Sequence, residues 1–259
     1  MGVINLVQDS FSGDGLTDLD LAMERARQMI SDGAEIIDIG GESAGTKRGA
    51  MSEQEEIDRI CPFIEKFRAM EDAPLLSINT WRPNVARATL ATGGDILNDI
   101  SALPTDENAR ICAKYGAALL IMHSIGEPKV KHTHVQYDDV METLENFFEE
   151  KIAMALSADV ARDAIILDPG IDFAKQRDDN LTIYRDLARL QKFERPILLP
   201  VSRKTVIGDV LNIPDASQRD AGTVACIVSG MSRGASIFRV HNVRATVQAV
   251  KTIYTIEQA

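Results

Sequence analysis

The chain has 259 residues, of which 45% are hydrophobic and 26% charged, a composition typical of globular proteins. Its net charge of −11 disfavours nonspecific binding to nucleic acid, and neither a signal peptide nor an apolar run of membrane length is recognisable. The three cysteines are isolated from one another, which predicts reduced thiols in a cytoplasmic protein. From the charge and the hydropathy we expect neither a nucleic-acid nor a membrane partner.

Eight short apolar segments rich in β-branched residues recur along the chain, and each is predicted to be a β-strand. In chain order they span residues 2–7, 35–41, 74–79, 95–100, 118–123, 164–169, 196–201 and 235–241. Amphipathic segments with helical spacing lie between them, most clearly at residues 19–33, 53–70, 138–157 and 242–256. This alternation predicts the α/β class and a (β/α)8 TIM barrel formed by a single domain, residues 1–259, with an open doubly wound sheet as the alternative.

Each predicted strand ends in polar or hydrogen-bonding residues, and in such a barrel the functional residues lie at the carboxyl ends of the strands. In chain order these ends carry Asn5; Gly40, Gly41, Glu42 and Ser43; Asn79; Asn98 and Asp99; Met122 and His123; Asp168; Ser202, Arg203 and Lys204; and Arg239 and His241. Any one of these side chains could simply cap a strand end. Their convergence on one barrel mouth favours a ligand site.

One group of these residues is suited to a flat heterocycle. Asn79, Asn98 and Asp168 offer amide and carboxylate groups that can pair with the N–H donors and ring acceptors at the edge of such a molecule. The amine of Lys204 and the thioether of Met122 could lie over or beside the ring. Capping of a turn by Asp168 remains the alternative for that residue.

A second group forms a cationic and polar corner. Asn5 ends the first strand, whereas Arg239 and His241 end the eighth, and these two strands become neighbours when a barrel closes. Guanidinium, imidazole and amide groups together are suited to phosphate. His241 could instead be a packed structural histidine.

The motifs GGES, LDPG, SRKTVIG and RVH, together with GVINLVQDSFSGDG, SINTW, LNDIS and IMHSIGEP, resemble in this order the motifs of the dihydropteroate synthase family. The resemblance covers essentially the whole chain. It implies a TIM-barrel transferase that joins 6-hydroxymethyl-7,8-dihydropterin pyrophosphate to p-aminobenzoate. Pyrophosphate is released and 7,8-dihydropteroate forms, a step of folate biosynthesis. The family resemblance also implies a homodimer that uses Mg2+.

The resemblance implies a role for each matching residue. Lys204, Asp168 and Asn79 would be catalytic, and the pterin would be bound by Asn79, Asn98, Met122, Asp168, Phe173 and Lys204. Pyrophosphate would be bound by Asn5, Arg239 and His241, with Mg2+ near Asn5. The p-aminobenzoate site would be formed by Phe11, Thr46, Lys47, Ser202 and Lys204.

The chain departs from the usual pattern of the family at four places. Asn79 stands where the family usually has Asp, so a negative charge beside the pterin is replaced by a neutral amide. The first loop has Val7-Gln8 in place of Thr-Pro, and Gly13-Asp14 inverts the usual order. The second loop, GESAGTKRGA, is longer by two residues than the usual GESTRPGA. Pro200 precedes Val201-Ser202 where the family often has Gly.

These departures leave three functional alternatives open. The first is an active synthase, and the second is a catalytically silent paralogue that binds pterin but releases no pyrophosphate, for which Asn79 is the supporting feature. The third is another pterin-using barrel enzyme, such as a methyltransferase acting on methyltetrahydrofolate and a corrinoid. The corner of Asn5, Arg239 and His241 disfavours the third, because a methyl donor needs no pyrophosphate site.

We predict that the altered loops weaken sulfonamide binding, because the two-residue insertion lies beside the expected p-aminobenzoate pocket. The measurement is the inhibition constant of a sulfonamide that competes with p-aminobenzoate, compared with that of a synthase with the usual GESTRPGA loop. An equal inhibition constant for the two proteins would rule the prediction out.

Overall fold

The computed structural model describes residues 1–7, 16, 18–42, 51–130, 132 and 134–259. Within these residues, eight parallel strands form one sheet in sequence order. The strands are β1 Gly2–Asn5, β2 Ile36–Gly40, β3 Leu75–Asn79, β4 Ile96–Asp99, β5 Ala118–Met122, β6 Ile165–Asp168, β7 Ile197–Leu199 and β8 Ala235–Phe238. Each lies within one of the eight predicted segments, so the predicted strands are confirmed with slightly shorter bounds.

The sheet curls so that its first strand meets the end of its last. The backbone N–H of Val3 donates to the carbonyl oxygen of Val240 at 3.2 Å, and the N–H of Val240 donates to that of Met1 at 2.9 Å. These bonds follow β8 directly, so they join the two edges of the sheet. The predicted barrel is confirmed, and the open doubly wound alternative is wrong.

Nine α-helices cover the outside of the sheet in the part of the chain that the structure describes. They are α1 Leu19–Ser31, α2 Glu53–Arg68, α3 Pro83–Thr92, α4 Glu107–Tyr115, α5 Val140–Ser157, α6 Arg177–Asp186, α7 Thr205–Leu211, α8 Asp220–Met231 and α9 Val243–Glu257. The four helices predicted from periodicity are α1, α2, α5 and α9. Among the described residues, no helix combines the length and the apolar character needed to cross a membrane.

Local sequence explains where the clearest helices begin. The carboxylate of Asp18 accepts hydrogen bonds from the backbone N–H groups of the first turn of α1. Ser52 and Glu55 form a reciprocal capping box at the start of α2, in which each side chain bonds the backbone of the other residue. These caps satisfy N–H groups that a helix cannot pair internally, so the sequence fixes both start points.

Alternation along the strands separates two cores. The large core between sheet and helices contains the outward residues of the strands, for example Ile37, Ile39, Leu76 and Ile78. A smaller inner cluster fills the barrel interior and consists of Ile96, Ile100, Leu120, Met122, Ile166 and Leu198, with Trp81, Phe173 and other apolar residues packed against it. Because successive side chains point to opposite faces of a strand, the same period sends Asp38, Ser77 and Asn98 into the barrel interior.

Asp99 shows the opposite orientation and lies outside the barrel wall. Its buried carboxylate accepts hydrogen bonds from the backbone N–H of Ser101 at 2.7 Å and from Asn108 Nδ2 of α4 at 2.9 Å. Burial raises the pKa of this carboxyl group. The contacts join the end of β4 to α4 and leave the barrel interior to Asn98.

We predict that Asp99→Asn lowers the free energy of unfolding by about 1–3 kcal/mol, the range expected when a buried hydrogen bond is replaced by an unsatisfied group. The introduced amide would face the Nδ2 donor of Asn108, which already donates to Trp81 O at 3.1 Å. Urea denaturation measures the change. An unchanged denaturation midpoint would contradict the account of this contact.

Candidate active site

The strand ends lie side by side around the mouth of the barrel. In the parallel register Asn79 is aligned with Gly40 on one side and with Asn98 on the other, and Met122 is aligned with Asp168. A Cβ on Gly40 would lie 3.5 Å from the Cβ of Asn79, an ordinary van der Waals distance, so the two residues are close neighbours at the mouth. The structure therefore brings together Asn79, Asn98, Met122 and Asp168 as the sequence predicted.

The side chain of Asn98 is nearly inaccessible to solvent, and only one of its two polar atoms has a hydrogen-bond partner among the described residues. Its Nδ2 donates to Asp38 Oδ1 at 3.1 Å. Its Oδ1 is buried without a hydrogen-bond partner among the described residues. An unpaired buried acceptor is unfavourable by about 1–3 kcal/mol, so it is a strong candidate for accepting a bond from a ligand N–H.

Asp38 lies at the centre of the polar network in the barrel interior. Its carboxylate is completely buried and accepts from Ser77 Oγ at 2.6 Å in addition to Asn98. Arg239 donates to it through Nε at 2.8 Å and approaches it through Nη2 at 2.7 Å. A guanidinium carries five N–H donors, so this pairing uses only part of the capacity of Arg239 to bind an anion.

Asp168 has one firm partner, the backbone N–H of Gly170, which donates to Oδ1 at 2.7 Å. Burial is the main reason that its pKa rises to about 6, and the bond from Gly170 and the nearby Lys204 oppose this rise. Gly170 has a φ of +68°, and a Cβ there would lie 1.9 Å from the carbonyl oxygen of His123. The LDPG turn therefore requires a glycine for its conformation and for its space.

Lys204 and Phe173 lie together at the mouth. The Lys204 Nζ lies 4.9 Å from the centre of the Phe173 ring and donates to Ile171 O at 2.8 Å. Burial lowers the pKa of Lys204. Phe173 also packs against the inner cluster that contains Met122. This arrangement joins the β6–α6 loop to the end of β7, and it gives the site one aromatic and one cationic wall.

The turn that carries Lys204 is built around a buried arginine. Arg219 donates to the backbone carbonyl oxygens of Arg203 at 3.0 Å, Lys204 at 3.1 Å, Ile213 at 3.0 Å and Pro214 at 2.8 Å. A Cβ on Gly208 would lie 2.5 Å from its guanidinium. The glycine of SRKTVIG thus leaves room for the arginine that holds the turn.

The neighbouring Arg203 has a supporting role. Its φ is +58°, and its Nε donates to Asp220 Oδ1 on α8 at 2.9 Å. Its backbone N–H donates to Thr223 Oγ1 at 3.1 Å. These contacts join the turn after β7 to α8.

Ser202 and His241 form a pair between the ends of β7 and β8. The Oγ of Ser202 lies 2.7 Å from His241 Nδ1 and accepts from the His241 backbone N–H at 3.2 Å. Both residues are buried. Ser202 therefore supports the predicted phosphate-binding histidine. The expectation that Ser202 also borders p-aminobenzoate stays a prediction.

Asn5 completes the cationic corner at the end of β1, where it is aligned with Gly40 of β2. Within the described ranges, no group of three or more His, Cys, Asp or Glu side chains is arranged to hold a metal ion. The Asn5 amide oxygen is a hard donor of the kind that Mg2+ accepts, and Mg2+ commonly uses one or two protein oxygens plus phosphates and waters. The donor set thus fits Mg2+ only when a phosphate-bearing substrate supplies further oxygens.

Lys175 supports the candidate site, and no role for it was apparent from the sequence. Its Nζ is buried, lies 2.9 Å from His123 Nδ1 and donates to the carbonyl oxygens of Gly170 at 3.1 Å and Phe173 at 3.0 Å. Burial lowers its pKa to about 7. Burial, assisted by the nearby lysine, lowers the pKa of His123 to about 2. The lysine thereby fixes the loop that carries Phe173.

A cavity of about 400 Å³ opens beside the mouth, and Phe173 forms part of its wall. It lies between the β5–α5 loop, the β6–α6 loop and the start of α7. Its lining includes Lys129, Arg177 and Thr205. The cavity extends the aromatic wall of the site away from Asn98 and Asp168.

The predicted site residues fall into two sets. Asn5, Asn79, Asn98, Met122, Asp168, Phe173, Ser202, Lys204, Arg239 and His241 all lie at or beside the carboxyl ends of the strands. Phe11, Thr46 and Lys47, predicted for p-aminobenzoate, lie outside the described residues. The sequence reading missed Asp38, Lys175 and Arg219. A charged residue in the middle of the apolar strand EIIDIGG was the one available signal for Asp38.

Comparison with known proteins identifies relatives of the chain. A family model described as "Pterin binding enzyme" matches residues 1–241. The chain is 37% identical over 255 residues to dihydropteroate synthase of Escherichia coli strain K12, covering 98% of this chain and 89% of that protein. It is 37% identical over 266 residues to the folate synthesis bifunctional protein of Arabidopsis thaliana, covering 97% of this chain. It spans about half of that plant protein, namely 55% of its length.

Solved structures show the same architecture. The Yersinia pestis dihydropteroate synthase in complex with a sulfonamide drug superimposes with a TM-score of 0.92 at 37% identity, covering 100% of this chain and 93% of that one. The Xanthomonas albilineans dihydropteroate synthase with 4-aminobenzoic acid gives a TM-score of 0.89 at 33% identity, covering 100% and 92%. Both similarities extend over the full barrel.

We predict that the free energy of unfolding of the unmodified protein, minus that of a Lys175→Met variant, rises with pH between about 7 and 10.5. The folded chain releases the lysine proton near 7, whereas the unfolded chain holds it up to 10.5, so the unfolded state binds more protons in this range. The relative free energy of unfolding should rise by up to about 1.4 kcal/mol per pH unit.

Urea denaturation at pH 7 and pH 9 measures this slope. Lys251→Met, which removes an exposed lysine of α9, is the matched control and should show no such pH dependence. Parallel pH profiles for Lys175→Met and the unmodified protein would contradict the prediction.

Proposed function

This chain belongs to the dihydropteroate synthase family of pterin-binding enzymes, which are transferases of folate biosynthesis, and on that premise we propose how its residues perform the reaction. The chain condenses 6-hydroxymethyl-7,8-dihydropterin pyrophosphate with p-aminobenzoate, giving 7,8-dihydropteroate and pyrophosphate. The observation that carries the proposal is the buried Oδ1 of Asn98 at the end of β4, unpaired among the described residues, at the same mouth as the buried carboxylate of Asp168 at the end of β6.

In this proposal the pterin ring is recognised through its N–H groups. Asn98 Oδ1 accepts one of them, and the ionised carboxylate of Asp168 accepts others with the oxygen capacity that the Gly170 bond leaves. Met122 and Phe173 provide apolar surface for the ring, and Lys204 contributes a positive charge at its edge. A ligand that lacks the amino and ring N–H donors would leave both acceptors unpaired and bind much more weakly.

The diphosphate group of the substrate binds in the corner of Asn5, Arg239 and His241. Arg239 is oriented by Asp38, and His241 is oriented by Ser202, so both reach the leaving group from fixed positions. Asn5 would hold Mg2+ together with the diphosphate oxygens, and the ion would supply further stabilisation of the leaving negative charge. The same donors bind the released pyrophosphate.

In the chemical step the bond between the exocyclic carbon and the diphosphate oxygen breaks, and the electron pair leaves with pyrophosphate. Arg239 and His241 stabilise the developing negative charge. The amine of p-aminobenzoate forms the new C–N bond to that carbon and then loses a proton. Positive charge that develops on the pterin is stabilised by the carboxylate of Asp168, while the amide of Asn79 contributes a dipole and no net charge.

The acceptor binds on the outer side of the pterin. The aromatic face of Phe173 and the positive charge of Lys204 suit an aromatic acid, and the adjoining cavity provides space there. The relative from Xanthomonas albilineans that holds 4-aminobenzoic acid supports this choice of acceptor. The proposed contributions of Phe11, Thr46 and Lys47 fall on residues outside the described part of the chain.

The proposal also includes a homodimer and a cytoplasmic location. The three cysteines are free thiols, which suits a reducing compartment. Half-buried apolar residues of α8, among them Val224 and Val228, offer part of a surface for a second copy. Measurement of the molar mass in solution by light scattering tests the dimer.

We predict that the protein releases pyrophosphate from 6-hydroxymethyl-7,8-dihydropterin pyrophosphate in the presence of Mg2+ and p-aminobenzoate, and that Asn79→Asp raises kcat by about tenfold to a hundredfold. A restored carboxylate would stabilise positive charge on the pterin more strongly than an amide does. A stabilisation of about 1.4–2.8 kcal/mol corresponds to this range. A coupled assay of pyrophosphate measures both rates, with and without p-aminobenzoate.

Asn146→Asp is the matched control, because it makes the same chemical change on the exposed face of α5 and should leave the rate unchanged. Activity that appears only in Asn79→Asp would assign the unmodified chain to the catalytically silent, pterin-binding alternative. Absence of turnover in both proteins, with pterin binding retained, would overturn the proposed reaction.

A further inference from the structure

We propose that Asp38 is a positioning residue whose single carboxylate sets the orientation of two groups. These are the pterin-binding amide of Asn98 and the pyrophosphate-binding guanidinium of Arg239. The inference rests on the proposed function, because it takes Asn98 as a pterin ligand and Arg239 as a pyrophosphate ligand. The carboxylate itself is 0% exposed and does not reach the ligand space. It therefore acts through its neighbours.

The two carboxylate oxygens of Asp38 bond different partners, Oδ1 on the side of the proposed pterin subsite and Oδ2 on the side of the proposed pyrophosphate subsite. Oδ1 accepts from Asn98 Nδ2 at 3.1 Å and from Ser77 Oγ at 2.6 Å. Oδ2 accepts from Arg239 Nε at 2.8 Å and lies 2.7 Å from Arg239 Nη2. One side chain of β2 is thereby bonded to β3, β4 and the segment that follows β8.

The carboxylate determines which end of the Asn98 amide faces the ligand. An ionised carboxylate only accepts hydrogen bonds, so the neighbouring amide must turn its NH2 group toward Asp38. Its oxygen then points away from Asp38 and is left as the unpaired buried acceptor. The specificity of this position for a ligand N–H is therefore imposed by Asp38.

The negative charge of Asp38 has a second consequence for Arg239. The guanidinium is partly buried, with a side-chain exposure of 24%, and a buried cation is unfavourable without a paired anion. Contact through both Nε and Nη2 fixes the plane of the guanidinium as well as its position. An amide at position 38 could satisfy one of the two neighbours by its oxygen, but its NH2 group would face the donors of the other.

The test is Asp38→Asn, with binding measured separately for two fragments of the substrate, 6-hydroxymethylpterin and inorganic pyrophosphate with Mg2+. Isothermal titration calorimetry well below the melting temperature gives the two dissociation constants. We expect both to rise at least tenfold. Asn98→Ala should weaken only the pterin fragment, and Arg239→Gln should weaken only pyrophosphate.

Asp99→Asn is the matched control, because it removes an equally buried carboxylate from β4, the strand that carries Asn98, but that carboxylate contacts α4 instead of the site. It should lower stability and leave both fragment affinities within twofold. This comparison separates positioning from a general loss of packing, which would affect both variants alike.

A second variant keeps the test decisive if Asp38→Asn does not fold. Ser77→Ala removes one of the two donors to Oδ1 and leaves Oδ2 untouched, so it should weaken the pterin fragment about twofold to fivefold and leave pyrophosphate binding unchanged. Folded Asp38→Asn that binds both fragments like the unmodified protein would overturn the inference, as would Ser77→Ala that weakens pyrophosphate alone. If the unmodified protein binds neither fragment, the proposed function fails instead.

Discussion

A negative charge buried inside the barrel is the constraint on which the rest of the site depends. Asp38 lies at the third of five positions in a strand that is otherwise apolar, and a carboxylate removed from water is unfavourable unless it is bonded on all sides. The structure satisfies it with Ser77 of β3, Asn98 of β4 and Arg239, which follows β8. These bonds also fix the donors and acceptors that the barrel presents at its mouth.

A similar dependence holds on the opposite side of the mouth. Lys204 can face the ligand space because the turn before α7 is held by Arg219, which bonds four backbone carbonyl oxygens. Lys175 performs the same task for the loop after β6. In each case a basic side chain that need not contact a ligand donates hydrogen bonds to backbone carbonyl oxygens of a loop. Without these bonds the carbonyl oxygens would lack a partner within the loop. Hydrogen bonds from these two side chains therefore hold the loops that form the walls of the candidate site.

The polar groups of the mouth are distributed over several strands of the barrel. The hydrogen-bond acceptors Asn98 and Asp168 lie on β4 and β6, whereas the amine of Lys204 follows β7 and the guanidinium of Arg239 follows β8. In the proposed function the acceptors bind the ring and Arg239 binds the leaving group. Asn79 is aligned with Asn98 and carries no charge, so Asp168 is the carboxylate that this proposal places at the ring.

The sequence by itself determined the order of the strands and which polar residues stand at their ends. Alternating short apolar segments and amphipathic helices predict a closed parallel barrel, because covalent order and local periodicity leave few other ways to bury both faces of the strands. The polar strand ends then have to converge at one mouth. Asn98, Asp168 and Arg239 could be found in this way because each directly follows apolar residues of a strand segment. Lys204 could be found because it belongs to the polar Ser202-Arg203-Lys204 sequence that follows such a segment.

Only the tertiary structure decided which of these groups contact one another. Asp38 and Arg239 are 201 positions apart in the chain, and their pairing depends on closure of the sheet and on the register of β2. The resemblance assigns Ser202 to the acceptor site, and only the structure shows that its hydroxyl also lies against His241. The sequence does not distinguish the partners of Arg203 and Arg219, but the first pairs with Asp220 and the second is buried among carbonyl groups. Local periodicity carries information about which face a side chain occupies, whereas hydrogen-bond partners are set by long-range packing.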